Sequence, residues 1–258
     1  MAQTLERPPR AHRLRGAPRA LWSWVRSAPG TYLWLLVLAA TSFVVARMDQ
    51  RTLDWFLAAR STNLDQLRSR PVHALMASAL WTEQSSWPLY LVLFTLFHAN
   101  AERWLGTARW FTVAATAHVL ATLVSEGVVA WGIVRGSLQR SMADTVDVGV
   151  SYALAGVVAV LAHRFAGRWR WLYGGGVLVV YLVPLVASHT FTDLGHFTAM
   201  LIGFCFFPFA RGRPRWDPGL VLRGLRARLR PGTRPGTRPG APPAAGPGAP
   251  PGARRKDG

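Results

Sequence analysis

The sequence has one cysteine (Cys205), one lysine (Lys256) and only 12 acidic residues in 258. A single cysteine excludes an intrachain disulfide framework and any cysteine-based zinc site. Charged residues make up 16% of the chain, against about 25% in soluble proteins, which argues against an ordinary soluble globule. A hydrophobic content of 50% argues against wholesale disorder. What is present in excess is arginine: 29 of the 30 basic residues, leaving a formal net charge of +18.

The charges are unevenly spread. Residues 27–46, 84–101, 148–163, 171–192 and 194–210 carry none, and residues 110–134 carry only Glu126. A helix crossing the hydrocarbon core needs about 20 apolar residues, with a range of about 17–25. The expectation is therefore an all-α polytopic membrane protein with six transmembrane helices. A β-barrel would need dyad alternation, which these runs lack. The run Pro71–Thr82 is too short to span and reads as an interfacial or partly inserted segment of the first loop. The first span is not a cleaved signal peptide, because the segment before it is too long for a signal n-region.

Six spans put both termini on one side. That side collects 23 basic residues and the other 7. The positive-inside rule then places both termini in the cytoplasm of a multi-pass plasma-membrane protein. Four stretches follow: a basic N-terminal segment with an interfacial helix (1–28), the six-helix membrane domain (29–210), a basic amphipathic segment (211–230) and a Pro/Gly/Arg-rich tail (231–258). The tail cannot bury a core and is expected to be disordered. Its expected partner, beside the bilayer itself, is anionic lipid at the cytoplasmic face rather than nucleic acid.

Ionisable and polar groups within spans are candidate sites because their burial in lipid is costly. His98, His118, Glu126, Ser151, His163, Asp193 and His196 make up that set. Ser151 and His196 each lie about one turn inside the outer end of a span, the fourth and the sixth. A serine and a histidine at matched depth suit a nucleophile–base pair, in which the imidazole takes the hydroxyl proton. Ala155 and Ala159 share a face with Ser151, and Ala199 and Gly203 share one with His196, so the two helices can approach closely. Asp193 either orients His196 or caps the sixth helix through Thr190-x-x-Asp193. A packing role is the expectation for His118 and a snorkelling or hydrogen-bonded carboxyl for Glu126, while His98 and His163 lie near the cytoplasmic face and need no special role. No metal site is expected at Asp144 and Asp147.

These residues resemble the motifs of the rhomboid intramembrane serine proteases. The fourth-helix GxSG reads GVSY at Gly149–Tyr152, and the sixth-helix HxxGxxxG reads HFTAMLIG at His196–Gly203. Glu102–Gly106 (ERWLG) is similar to the family's sequence after the second helix, and His73–Trp81 to its first-loop segment. The resemblance covers roughly 30–210. It implies a rhomboid-like bundle in which Ser151 attacks a peptide bond of a membrane-anchored substrate near the outer surface, His196 acts as base and then acid, and no cofactor is used. Two departures stand out: Tyr152 replaces a glycine and Ala199 replaces another. The family's oxyanion-assisting His and Asn fall at Ser86 and Tyr90, and Ser85, Ser86 or Tyr90 are the substitutes at hand. The divergent bacterial rhomboid-like branch fits this pattern. A rhomboid-type pseudoprotease that binds transmembrane clients is the alternative. A small transporter using His118, Glu126 and Asp193 is a further one, but it predicts inverted repeats that are not evident.

Overall fold

The computed structural model describes residues 19, 22–82, 86–147 and 150–229, with side chains as far as 225. Gly149, Ser85 and the tail 231–258 lie outside the described residues, as does most of the segment 1–28. The chain divides into two compact units, residues 1–217 and 218–258.

The described residues are almost wholly helical, with one isolated bridge between Phe165 and Trp216. The first unit begins with α1 (Pro29–Val45), α2 (Gln50–Ala58), α3 (Leu64–Ser69) and α4 (Pro71–Ser78). Asp49 and Asn63 start α2 and α3 as side-chain N-caps, and proline at the first turn starts α1 and α4. α5 (Trp87–Leu93) runs through a π-helical turn, Phe94–His98, into α6 (Ala99–Leu105). Gly106, at φ 87°, turns the chain sharply into α7 (Thr107–Val134). α8 (Val150–Val160) follows and ends in a 3₁₀ turn, Leu161–Arg164. α9 (Arg168–Ser188), α10 (Phe191–Cys205) and the short α11 (Phe207–Ala210) complete the unit.

α7 and α9, at 28 and 21 residues, are long and apolar enough to cross a membrane. At 1.5 Å per residue they reach about 42 and 32 Å. The other apolar helices are shorter: Pro29–Val45 has 17 residues and α10 has 15. α4 has eight and cannot span. It packs beside α1 and α7, where the Trp34 indole donates to the Ala79 carbonyl (2.8 Å) and His118 Nε2 donates to the Leu75 carbonyl (2.8 Å).

α8 is the centre. Nine of its 11 residues are buried, including Tyr152, Ala155, Gly156 and Ala159, as expected for a helix apolar on every side. It packs on α7 and α10 through small residues. A Cβ on Gly156 would run into Ala117, and one on Gly203 would run into the Gly156 carbonyl and Ala159. This is the close approach expected from the small residues of the fourth and sixth helices. α9 has Val177 buried and Tyr173 and Tyr181 packed inward, while Trp171, Leu172, Val179, Val180, Val183 and Val186 face outward.

At the end of the bundle where α6 meets α7, Glu102 binds the start of α1. Its Oε1 accepts from Gly30 N (2.9 Å) and Thr107 Oγ1 (2.8 Å), and its Oε2 from Thr31 N (2.8 Å) and Thr31 Oγ1 (2.7 Å). The first amides of α1 have no partner within their own helix, so Glu102 acts as their cap from a distant segment. After α11 the chain returns to the α8–α9 connection, where Trp216 N donates to Arg164 O (2.8 Å) and Ala166 N to Trp216 O (3.0 Å).

In the second unit, α12 (Pro218–Leu229) exposes Leu220, Val221, Leu222 and Leu225. Arg223 lies among them in sequence, in keeping with an amphipathic basic helix.

Candidate functional site around Tyr152 and His196

At the opposite end of the bundle from Glu102, α8 and α10 begin side by side. The segment leading into α8 is held by α2–α3: Asp147 N donates to Ser61 Oγ (2.6 Å), and its carbonyl accepts from Thr62 N and Thr62 Oγ1 (both 3.1 Å). This anchors a buried carboxyl, and Tyr152 Oη donates to its Oδ2 at 2.8 Å. Burial pushes the Asp147 carboxyl up to about 6, with the Tyr152 hydroxyl working against that rise.

Tyr152 is fully buried, and its ring meets His196 edge-on with centroids 5.0 Å apart. Tyr181 of α9 lies near-parallel to His196 at 6.1 Å. The Tyr152 ring fits only because α10 carries Gly195: a Cβ there would stand 2.5 Å from Tyr152 Oη and 2.7 Å from its Cε1. Ser125 and Glu126 of α7 lie within electrostatic reach of the same phenol. Glu126 is 3% exposed, which does not fit the snorkelling expected of it, and it accepts no hydrogen bond among the described residues.

Ser151 and His196 are both half-buried and sit on neighbouring helices. No hydrogen bond joins them among the described residues; the side chains in ring contact with His196 are Tyr152 and Tyr181. Ser86 holds the N-cap position of α5 without a side-chain cap bond. Tyr90 packs on the cluster of Leu35, Leu38, Phe94 and Val150, with its ring 6.0 Å from Phe94. Asp193 caps α10 together with Thr190: Asp193 N donates to Thr190 Oγ1 (3.1 Å), and Thr190 Oγ1 donates to Asp193 Oδ2 (2.6 Å). Ala199 and Gly203 are buried in the α8–α10 contact.

The other histidines pack within the bundle, as expected of His118. His118 Nε2 also lies 3.3 Å from Ser78 Oγ. His163 Nε2 donates to the Phe204 carbonyl (2.9 Å). His98 Nδ1 accepts from the Trp110 indole (3.1 Å), and the ring stacks on Phe94 at 4.0 Å.

Sequence reading missed the pairing of Tyr152 with Gly195 and the role of Asp147. The signal was available as a large-for-small exchange. A bulky residue stands where the motif has glycine, and a glycine stands beside the histidine on the facing helix.

A family model described as rhomboid-like protein matches residues 23–216. No curated protein and no solved structure gives a match.

Proposed function

The chain belongs to the rhomboid-like protein family, and on that premise we propose that it is a client-binding rhomboid-like membrane protein whose Ser151–His196 pair is held out of proteolytic use. The observation that carries this reading is Tyr152. Its ring packs edge-on against His196 and its hydroxyl is committed to Asp147, and no hydrogen bond joins His196 to Ser151 among the described residues. A base must come within about 2.6–3.2 Å of the proton it takes, by direct contact or through one water. The oxyanion side adds to the case. The positions matching the family's His and Asn are Ser86 and Tyr90, and loss of one oxyanion donor costs about 10²–10³ in rate.

In this reading the apolar segments form six spans. Both termini lie in the cytoplasm of a plasma-membrane protein, and the Tyr152–His196 cluster lies near the outer surface. The one-sided arginine distribution supports that orientation. The partners are transmembrane segments of other membrane proteins.

A second reading, intramembrane serine proteolysis by Ser151 and His196, is favoured by one observation. Both residues are half-buried polar groups on helices packed at glycine distance.

Reaction of the purified full chain with a fluorophosphonate probe separates the two readings. The expected result is no labelling and no cleavage of transmembrane substrates by the wild type, with photocrosslinking to clients unchanged in Ser151→Ala. Wild-type labelling that both Ser151→Ala and His196→Ala abolish would establish the protease.

A further inference from the structure

At the end of the bundle where α8 passes into α9, one aromatic ring gathers basic groups from three places in the chain. The ring is Phe207, the first residue of α11. The Cζ of Arg170, in the first turn of α9, lies 5.2 Å from its centroid, and that of Arg211, just after α11, lies 5.4 Å from it. The His163 imidazole, in the 3₁₀ turn after α8, meets the same ring edge-on at 5.3 Å. Arg170 is half-buried and Arg211 exposed, so a change of the Arg211 rotamer brings both guanidiniums to one ligand.

His163 is 6% exposed. Its Nε2 faces the Phe204 carbonyl at 2.9 Å, so that nitrogen carries the hydrogen. Nδ1 is then a bare acceptor in the neutral ring, and it is buried without a hydrogen-bond partner among the described residues. A buried acceptor left open is costly and points to a donor brought from outside. The start of α9 is open in the complementary sense. Gly167 has no side chain to cap it, so its first amides remain as donors. A helix N-terminus beside arginines favours a phosphate group.

The setting fits a lipid rather than a soluble phosphate. α9 is long and apolar enough to cross a membrane, and Trp169 and Trp171 flank Arg170. Trp171 is exposed, and tryptophan favours the lipid headgroup level. We propose that Arg170, Arg211 and the start of α9 bind the phosphate of an anionic phospholipid with a hydroxyl-bearing headgroup, of the phosphatidylglycerol kind, and that this hydroxyl donates to His163 Nδ1. The acyl chains lie along the exposed apolar face of α9. The inference rests on α9 spanning the bilayer and not on whether Ser151 cleaves anything, so its failure would leave the client-binding reading untouched.

Native mass spectrometry of the detergent-purified full chain tests this. The probes are phosphatidylglycerol, phosphatidylethanol (the same charge without headgroup hydroxyls), phosphatidylcholine and inorganic phosphate. Phosphatidylglycerol is expected to stay bound best, phosphatidylethanol less and phosphatidylcholine least, and millimolar phosphate is not expected to displace the first. Arg170→Gln and Arg211→Gln should each weaken phosphatidylglycerol retention about fivefold. Arg170→Lys, which keeps the charge, should lose less, and Arg140→Gln, in the loop at the other end, should lose nothing. A matching thermal midpoint for Arg211→Gln and wild type guards against misfolding as the cause. Equal retention of phosphatidylglycerol and either other lipid, unchanged retention in Arg170→Gln and Arg211→Gln, or displacement by inorganic phosphate alone would each overturn the assignment.

Discussion

Each end of the first unit buries carboxylates, and their surroundings are opposite in kind. Glu102 accepts four hydrogen bonds, from Gly30, Thr31 and Thr107, and so ties α1 to the α6–α7 corner. At the other end Asp147 accepts one side-chain bond, from Tyr152, and Glu126 accepts none among the described residues. A saturated buried carboxylate is part of the scaffold. An undersatisfied pair beside a tyrosine and a histidine stores a cost that the scaffold alone does not require.

The sharpest way to break this contrast is at Glu102. Glu102→Ala would leave the Gly30 and Thr31 amides without their acceptor and should destabilise the fold by about 3 kcal/mol or more. Reversible unfolding in mixed micelles measures it. A loss no larger than that of Glu126→Ala would erase the distinction between the two ends.

Next comes Gly195→Ala, which drives a methyl group into Tyr152 and should cost about 1–3 kcal/mol. Tyr152→Gly should relieve most of that cost in the double variant, as a double-mutant cycle would reveal. Additive losses would mean that the two residues are not packed as described.

A smaller effect is expected in the pH dependence. The Asp147 carboxyl sits at about 6 in the folded chain against an ordinary value of 3.8. The folded state therefore holds that proton more tightly than the unfolded state does. Its contribution is most favourable below the ordinary value and declines as pH rises to about 6, then levels off. Asp147→Asn should remove this slope, seen as thermal midpoints recorded across that range. A slope unchanged by the substitution would place its source elsewhere.

Smallest of all is Ser86→Ala. The hydroxyl makes no cap bond, and the change in stability should stay within about 0.5 kcal/mol.

Much of the architecture was legible beforehand. The helical class, the short α4 and the small-residue contact between α8 and α10 follow from charge-free runs and from the spacing of Ala155, Ala159, Ala199 and Gly203. The Thr190–Asp193 cap was legible because capping depends on residues three apart. Glu102 was visible as part of a motif, but not as the cap of a helix some seventy residues earlier. Its partners are backbone amides, which every residue carries and no pattern marks. Length separates α7 and α9 from the shorter helices, a division that charge-free runs alone do not make, because residues 194–210 carry no charge yet break between α10 and α11.

The sequence by itself determined which segments are apolar, where the arginines lie and that a serine and a histidine occur near the ends of two spans. These properties belong to single residues and their neighbours along the chain. Only the tertiary structure decided which side chain of α8 meets His196. Ser151 and Tyr152 are adjacent in sequence, yet they point about 100° apart on a helix of 3.6 residues per turn. The rotation of α8 about its axis is constrained where Gly156 meets Ala117 and Gly203, contacts made by helices distant in sequence. That rotation, with the room left by Gly195, turns Tyr152 toward the histidine.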